Sequence, residues 1–137
     1  NAPAKKRLFY SYGLGSCFEL NENKKITLNC KKLNNDGEVN AVTYSNNLKP
    51  EIIELHKKYK VTNYKKMKSS LKFCVIAAGE FDLYIADARA SEWDIAAGHA
   101  ILKNAGGKVS DFNGNEILYG KKDFKNPALI LKRTTDL

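Results

Sequence analysis

The chain has 137 residues, 43% of them hydrophobic, and a formal charge of +8 at pH 7. That length suits one domain, and that hydrophobic fraction can build a core, which excludes wholesale disorder. No run of about 18 apolar residues occurs, which excludes a transmembrane helix; the opening Asn1-Ala2-Pro3-Ala4-Lys5-Lys6-Arg7 has no apolar segment, so no secretory leader and a cytoplasmic location are expected.

Leu8–Tyr12 and Ser16–Leu20 flank Gly13-Leu14-Gly15, two β-rich runs around a Gly-bearing turn, and predict a hairpin. Lys25–Asn29 is a short third strand, Asn34-Asn35-Asp36-Gly37 a turn, and Val39–Tyr44 another strand. Pro50 suits the first turn of a helix over Lys49–Lys60, with Ile52, Ile53, Leu55 and Tyr59 approximating one face. Val61–Met67 returns as a strand. Ser69–Ala78 reads as a second helix, with Ser69 or Ser70 as N-cap, Leu71, Cys74, Val75 and Ala78 on one side, and Gly79 as its stop. Phe81–Ile85 is a strand, and Ser91–Ala105 is the clearest helix, closed by Gly106-Gly107. Lys108–Ser110, Glu116–Tyr119 and Ala128–Lys132 complete the pattern as short strands divided by Asn113-Gly114 and Asn126-Pro127. Strands alternating with helices make the fold class α/β, and the helix-free opening strands predict a mixed β-sheet flanked by helices. No repeat, low-complexity segment or linker divides the chain, so residues 1–137 are expected to form a single domain.

The charge is uneven. Residues 1–72 carry 15 Lys and Arg against 6 Asp and Glu, whereas residues 73–137 carry 8 against 9. Lys57, Lys58, Lys60, Lys65, Lys66, Lys68 and Lys72 fall in a stretch without an acid from Leu55 to Gly79. Such a block is either a solvated face or a concentrator of anions. With 20 Lys but 3 Arg, a small phosphorylated ligand fits better than DNA or RNA, whose readers favour Arg and interleaved aromatics. Cys17, Cys30 and Cys74 cannot all pair and form no CxxC; they read as buried or free thiols of a reducing compartment.

Ser91 followed by Asp94 has the form of a capping box, and Asp94 in a first helical turn is favoured by the helix dipole. Capping accounts for Asp94 fully; the alternative is a hard oxygen ligand for Mg²⁺ at the lip of a cleft. The small run Ala96-Ala97-Gly98 admits a close neighbour. His56 and His99 read as packed or surface residues. Lys68-Ser69-Ser70-Leu71-Lys72 starts a helix directly after a strand, and is either an ordinary cap with a neighbouring surface Lys or a phosphate seat built from Ser69, Ser70 and Lys72.

Ser69-Ser70-Leu71-Lys72-Phe73-Cys74, then Ala78-Gly79-Glu80-Phe81-Asp82-Leu83-Tyr84, then Glu92 through Leu102, then Ala105-Gly106-Gly107, resemble the inositol monophosphatase superfamily. Within it the likeness is to the CysQ-type 3′(2′),5′-bisphosphate nucleotidases. The resemblance runs nearly end to end, but to the C-terminal half of a family member. It implies that half of the inositol monophosphatase-like sugar phosphatase fold, with the N-terminal metal-binding half absent. It implies Mg²⁺-dependent hydrolysis of adenosine 3′,5′-bisphosphate to AMP and phosphate in the complete enzyme, with Asp94 as the metal ligand of this half. Ser69, Ser70 and Lys72 fall to the substrate, and no catalytic residue is assigned to this half. It leaves open an inositol or other sugar monophosphatase, and a non-catalytic remnant serving as an anion-binding or assembly module. The partners implied are a small phosphorylated nucleotide and either a separate N-terminal half chain or, through exposed apolar surface, a second copy. Three positions depart from the family pattern. Lys68 stands where a Gly commonly precedes Ser-Ser, Ala86 where a ligand-binding Arg is frequent, and Asn47 where a His often follows; Arg89 lies close to Ala86 but out of register.

Overall fold

A computed structural model of the chain describes residues 1–30 and 37–137. The opening runs alternate in burial because they make a hairpin with one wet face. β1 (Arg7–Gly13) pairs antiparallel with β2 (Ser16–Asn21), and β2 with β3 (Lys24–Thr27). Phe9, Cys17 and Glu19 point inward and are buried. Tyr10, Tyr12 and Phe18 meet on the other face with ring centroids 5.5, 5.7 and 5.8 Å apart. The turn expected at residues 34–37 lies, apart from Gly37, outside the described residues.

The rest of the chain alternates: β4 (Val39–Thr43), α1 (Pro50–Lys58), β5 (Val61–Lys66), α2 (Leu71–Ala77), β6 (Leu83–Ala86), α3 (Glu92–Asn104), β7 (Lys108–Ser110) and β8 (Leu129–Lys132). Its strands form one five-stranded sheet in the order β5-β4-β6-β8-β7. β4 runs parallel to β5 and β6, and β8 runs antiparallel to β6 and β7. This is the mixed α/β arrangement that the alternating pattern predicts. Side chains alternate across the sheet. Ala41, Leu83, Ile85 and Ile130 cluster with Ile52 of α1, while Val42, Tyr84, Ala86, Leu129 and Leu131 cluster with Phe73 of α2 and Ile95 of α3. The three-stranded sheet closes the second cluster from beyond α2 and α3, adding Phe9, Cys17 and Leu28. It is tied to the end of α3: the Gly15 N–H donates to the Asn104 carbonyl at 2.9 Å, and the Cys30 N–H to the Ala105 carbonyl at 3.1 Å.

Both long-predicted helix stops are observed as Schellman closures. Gly79 has φ +75° and Gly106 φ +102°. The Glu80 N–H reaches the Val75 carbonyl at 3.0 Å, and the Gly107 N–H the Leu102 carbonyl at 2.9 Å. At the open edges of the elements the structure departs from the sequence pattern. On α1 the buried face is Ile52 with His56, while Ile53 is exposed. α2 packs beside α3 and against the large sheet, so Lys72, Phe73, Val75, Ile76 and Ala77 are all buried, and Leu71, Cys74 and Ala78 only half-buried. Glu116–Tyr119 is not a strand; only Glu116 bridges Ser110. The Glu92 carboxylate accepts the N–H groups of Gly120 and Lys121 at 2.9 Å each, which draws this segment across the start of α3 and out of the sheet.

Asp82 and Arg133, both buried, form an ion pair at 2.7 Å at one end of the sheet. Asp82 also accepts the Asn40 N–H at 2.7 Å, so one carboxylate joins β4, β6 and β8. Removing one partner of such a buried pair costs about 3–5 kcal/mol, because the other charge is left uncompensated. Among the described residues, no helix is long and apolar enough to cross a membrane.

Two outcomes follow from this packing. A Cβ at Gly98 would stand 2.7 Å from Phe73 Cγ and 2.8 Å from its Cβ, atoms at the root of the ring that cannot swing aside. Gly98→Ala is therefore expected to lose up to about 2 kcal/mol, overpacking of about 1–3 kcal/mol being only partly offset by the ~1 kcal/mol gain in helix propensity; urea unfolding measures it. Burial holds both histidines below their ordinary value of 6.5, and His56 Nε2 has no hydrogen-bond partner among the described residues. Below pH 6.5 the unfolded chain binds more protons than the folded one, so stability is fully present above that pH and declines as pH falls through the depressed values. Urea midpoints between pH 7.5 and 5 are expected to fall with pH, and His56→Leu to raise the midpoint and flatten the decline.

Candidate active site

The carboxyl end of β6, the connection from β5 to α2 and the amino ends of α2 and α3 meet around one cleft of about 420 Å³. This is where open α/β sheets bind ligands, because the connections there diverge and leave a crevice. Ser69, Ser70 and Lys72 come from the start of α2, Tyr84 and Ala86 from the end of β6, Asp87 and Arg89 from the following loop, and Asp94 from the first turn of α3.

Asp94 is exposed, and its Oδ2 accepts the Ser91 N–H at 2.9 Å in a complete capping box. Its Oδ1 takes no hydrogen bond among the described residues. Capping thus fixes the carboxylate without consuming it, and the two roles that the sequence left as alternatives are compatible. Ser69 is a non-glycine residue at φ +67°, a conformation costing about 1–2 kcal/mol. Its Oγ accepts the Leu71 N–H at 3.3 Å, while its carbonyl accepts Lys72 Nζ at 2.7 Å. Lys72 is not a surface residue. It is 7% exposed, its ammonium also reaches the Met67 carbonyl at 3.2 Å, and it sits 5.0 Å from the centre of the Tyr84 ring. Burial, and then the charge of Arg89, hold its pKa below the ordinary lysine value. Burial raises the Tyr84 phenol to about 12, so it stays protonated at neutral pH.

Arg89 stacks on Tyr44 with its guanidinium carbon 3.5 Å from the ring centre, and its Nε donates to Asp87 Oδ1 at 2.6 Å. Lys49 pairs with the other oxygen of Asp87. The Arg89 bond and the Lys49 bond hold the Asp87 carboxyl below its ordinary range against its partial burial. All four residues singled out from the sequence, Ser69, Ser70, Lys72 and Asp94, line this one cleft. Asp87, Tyr84 and Arg89 join them without having been assigned there. The signal for Arg89 was its nearness to Ala86; linear register hid it because the loop after β6 turns back over Tyr44. His99 lies elsewhere, with Nδ1 2.7 Å from the Tyr119 hydroxyl, and His56 is buried on α1 beside Tyr64.

As a cation site the cleft offers one free carboxylate oxygen, on Asp94, since both oxygens of Asp87 are engaged. Mg²⁺ commonly takes one or two carboxylates and keeps several waters, so Asp94 fits as a partial ligand set. Among the described residues no group of three or more His, Cys, Asp or Glu is placed to hold a metal ion.

The mixed α/β sheet thus carries at its strand ends a partly aromatic cleft lined by charges of both signs, Lys72 and Arg89 against Asp87 and Asp94. The chain belongs to the inositol monophosphatase family, whose model matches residues 1–136. The CysQ 3′(2′),5′-bisphosphate nucleotidase of Buchnera aphidicola is 48% identical over 62 residues, which is 45% of this chain and 23% of that protein. A Rhizobium leguminosarum protein, described as an uncharacterized protein in the pss 5′ region, is 43% identical over 81 residues, covering 55% of this chain and 82% of that one. The crystal structure of CysQ from Bacteroides thetaiotaomicron matches with a TM-score of 0.77 at 27% identity, over 95% of this chain and 55% of that one. The chain therefore spans about half the length of that solved relative, and the matched segment about a quarter of the Buchnera sequence.

Proposed function

We propose that this chain supplies the C-terminal half of a Mg²⁺-dependent phosphomonoesterase of the CysQ type, acting on adenosine 3′,5′-bisphosphate to give AMP and phosphate. The observation that carries this reading is that the Asp94 carboxylate, the Ser69 and Ser70 hydroxyls and the Lys72 ammonium share one cleft. The family membership and the CysQ relatives support the reaction class.

In this reading Asp94 offers Oδ1 to the cation while the Ser91 N–H on Oδ2 keeps the carboxylate from rotating. When bound, Mg²⁺ supplies Lewis-acid stabilisation of phosphoryl charge and eases deprotonation of water. Ser69 and Ser70 retain O–H donors for phosphate oxygens, because Ser69 Oγ serves the Leu71 N–H only as acceptor. Lys72 spends two N–H bonds on the Met67 and Ser69 carbonyls, which orient it, and keeps a third for the ligand. Its burial strengthens that contact, since the local dielectric is well below that of water. The remaining oxygen ligands and the groups that position the attacking water belong to the other half of the fold.

A phosphate-release assay tests this on adenosine 3′,5′-bisphosphate, with the chain alone and with a separately supplied first half of a CysQ relative. The chain alone is expected to release little or no phosphate. The complemented protein is expected to turn over in a Mg²⁺-dependent manner, and Asp94→Asn to cost about a hundredfold or more, beyond the loss typical for an outer-shell residue. Full turnover by the chain alone, or a complemented Asp94→Asn protein as active as the parent, overturns the reading.

A further inference from the structure

The strands at the ends of the two sheets are β1, β3, β5 and β7. β3 carries Lys24 and Lys25, β5 Lys65 and Lys66, and β7 Lys108; lysines on an edge deter pairing with a further strand. β1 has no such guard. Its one charged residue, Arg7, is turned to Glu19 and Glu80, and neither a charged residue nor a proline occurs from Leu8 to Phe18. The chain begins to cover this edge and then leaves it: the Ala2 N–H donates to the Arg7 carbonyl at 2.8 Å and the Arg7 N–H to the Ala2 carbonyl at 3.3 Å, as a single bridge. Alternate residues of a strand aim their backbone groups to the same side, so those of Phe9 and Ser11 also point away from β2. Cys17, opposite Ser11, gives its carbonyl to the Leu28 N–H on the far side at 2.7 Å, in agreement with that direction. The N–H and C=O groups of Phe9 and Ser11 take no hydrogen bond among the described residues. Beside this unpaired backbone lies the apolar outer face of the sheet, with Leu8 38% and Tyr12 76% exposed and Tyr10 and Phe18 between them.

We propose that β1 is a dimerisation edge, along which two copies of this chain pair antiparallel about a two-fold axis at Tyr10. The occupant is a second copy because the strand matches itself. Phe9 of one copy stands opposite Ser11 of the other, and each such pair exchanges both backbone hydrogen bonds. Tyr10 meets Tyr10 in the closer, non-hydrogen-bonded position, and Leu8 meets Tyr12, so the apolar outer face runs unbroken from one copy to the other and gains aromatic cross-strand contacts. Charge permits this register. Lys5, Lys6 and Arg7 fall opposite Gly15, Leu14 and Gly13 of the uncharged turn, so no like charges are opposed. The same pairing along β3 or β5 would bring lysines of the two copies together. The contact is isologous and closes at two copies, because each has one such edge. It requires nothing of the cleft.

Sedimentation velocity of the full chain over a concentration series up to about 100 μM tests this, together with amide hydrogen exchange at Phe9 and Ser11. A monomer–dimer equilibrium is expected, with protection of those two amides rising as the dimer forms. Tyr10→Lys, which opposes two cations on the axis, is expected to weaken association about tenfold or more. Ser11→Pro removes an N–H that β2 does not use and is expected to do the same; it carries the test should the Tyr10 variant not fold, circular dichroism serving as the check. Tyr64→Lys, the same change on the guarded edge β5, is expected to leave the equilibrium unaltered. A chain that stays monomeric throughout, a dimer that both edge variants leave as tight as the parent, or amides of Phe9 and Ser11 unprotected in the dimer overturns the proposal. A monomeric chain that instead captures the separately supplied first half of a CysQ relative, and loses it on Ser11→Pro, gives the edge to that half and likewise overturns the second copy.

Discussion

The contact between Gly98 of α3 and Phe73 of α2 is the constraint on which the cleft depends. Lys72 immediately precedes Phe73, and Asp94 lies one helical turn before Gly98, so the separation of the two helices at this point sets the width of the site. A side chain of any size at position 98 would meet the root of the Phe73 ring. Phe73 cannot retreat, because it is 3% exposed and packed within the main core, and it also forms part of the cleft wall. The small residue therefore serves geometry more than flexibility: it brings a buried ammonium and an anchored carboxylate into one crevice. The neighbouring Ala96 and Ala97, which share its small size, are exposed and take no part in this approach.

The charges of the chain divide into two populations. On β5, an edge strand, Lys65 and Lys66 are exposed, and like Lys57, Lys58 and Lys60 around them they have room to be solvated. Lysines on an edge also deter pairing with another strand. In the cleft and in the core, by contrast, each charged group is held by defined partners. Arg7 binds Glu19 through two nitrogens and also pairs with Glu80, Asp82 pairs with Arg133, and Glu92 gathers Lys121 and two backbone N–H groups. The overall charge of +8 thus says little about recognition. Lys72 and Arg89 are instead oriented by carbonyls, a ring and a carboxylate.

The surface carries several large exposed apolar side chains. Tyr12, Leu14, Trp93 and Leu118 are each about 70–80% exposed, and the ring cluster of Tyr10, Tyr12 and Phe18 occupies the outer face of the three-stranded sheet. Trp93 adjoins Asp94, so apolar surface borders the open side of the cleft. The anchored Asp94 carboxylate, with one oxygen free among the described residues, lies next to this surface.

The sequence by itself determined the elements whose signals are local. The Gly-bearing hairpin, the Schellman glycines at 79 and 106, the capping box at Ser91 and Asp94, and the strand–helix alternation each follow from the conformational preference of a few neighbouring residues. The motif around Ser69–Lys72 and that around Asp94 likewise pointed to the residues that line the cleft. What only the tertiary structure decided depends on partners far apart in the chain. Lys72 reads either as a surface residue or as part of a phosphate seat until α2 is seen packed beside α3 and against the large sheet. Glu116–Tyr119 reads as a strand until Glu92, more than twenty residues earlier, captures the backbone that follows it. Arg89 reads as out of register until its loop folds back onto Tyr44. Local conformation is written in local chemistry, but burial, charge pairing and the convergence of side chains on one point are set by long-range packing, which no single window of residues contains.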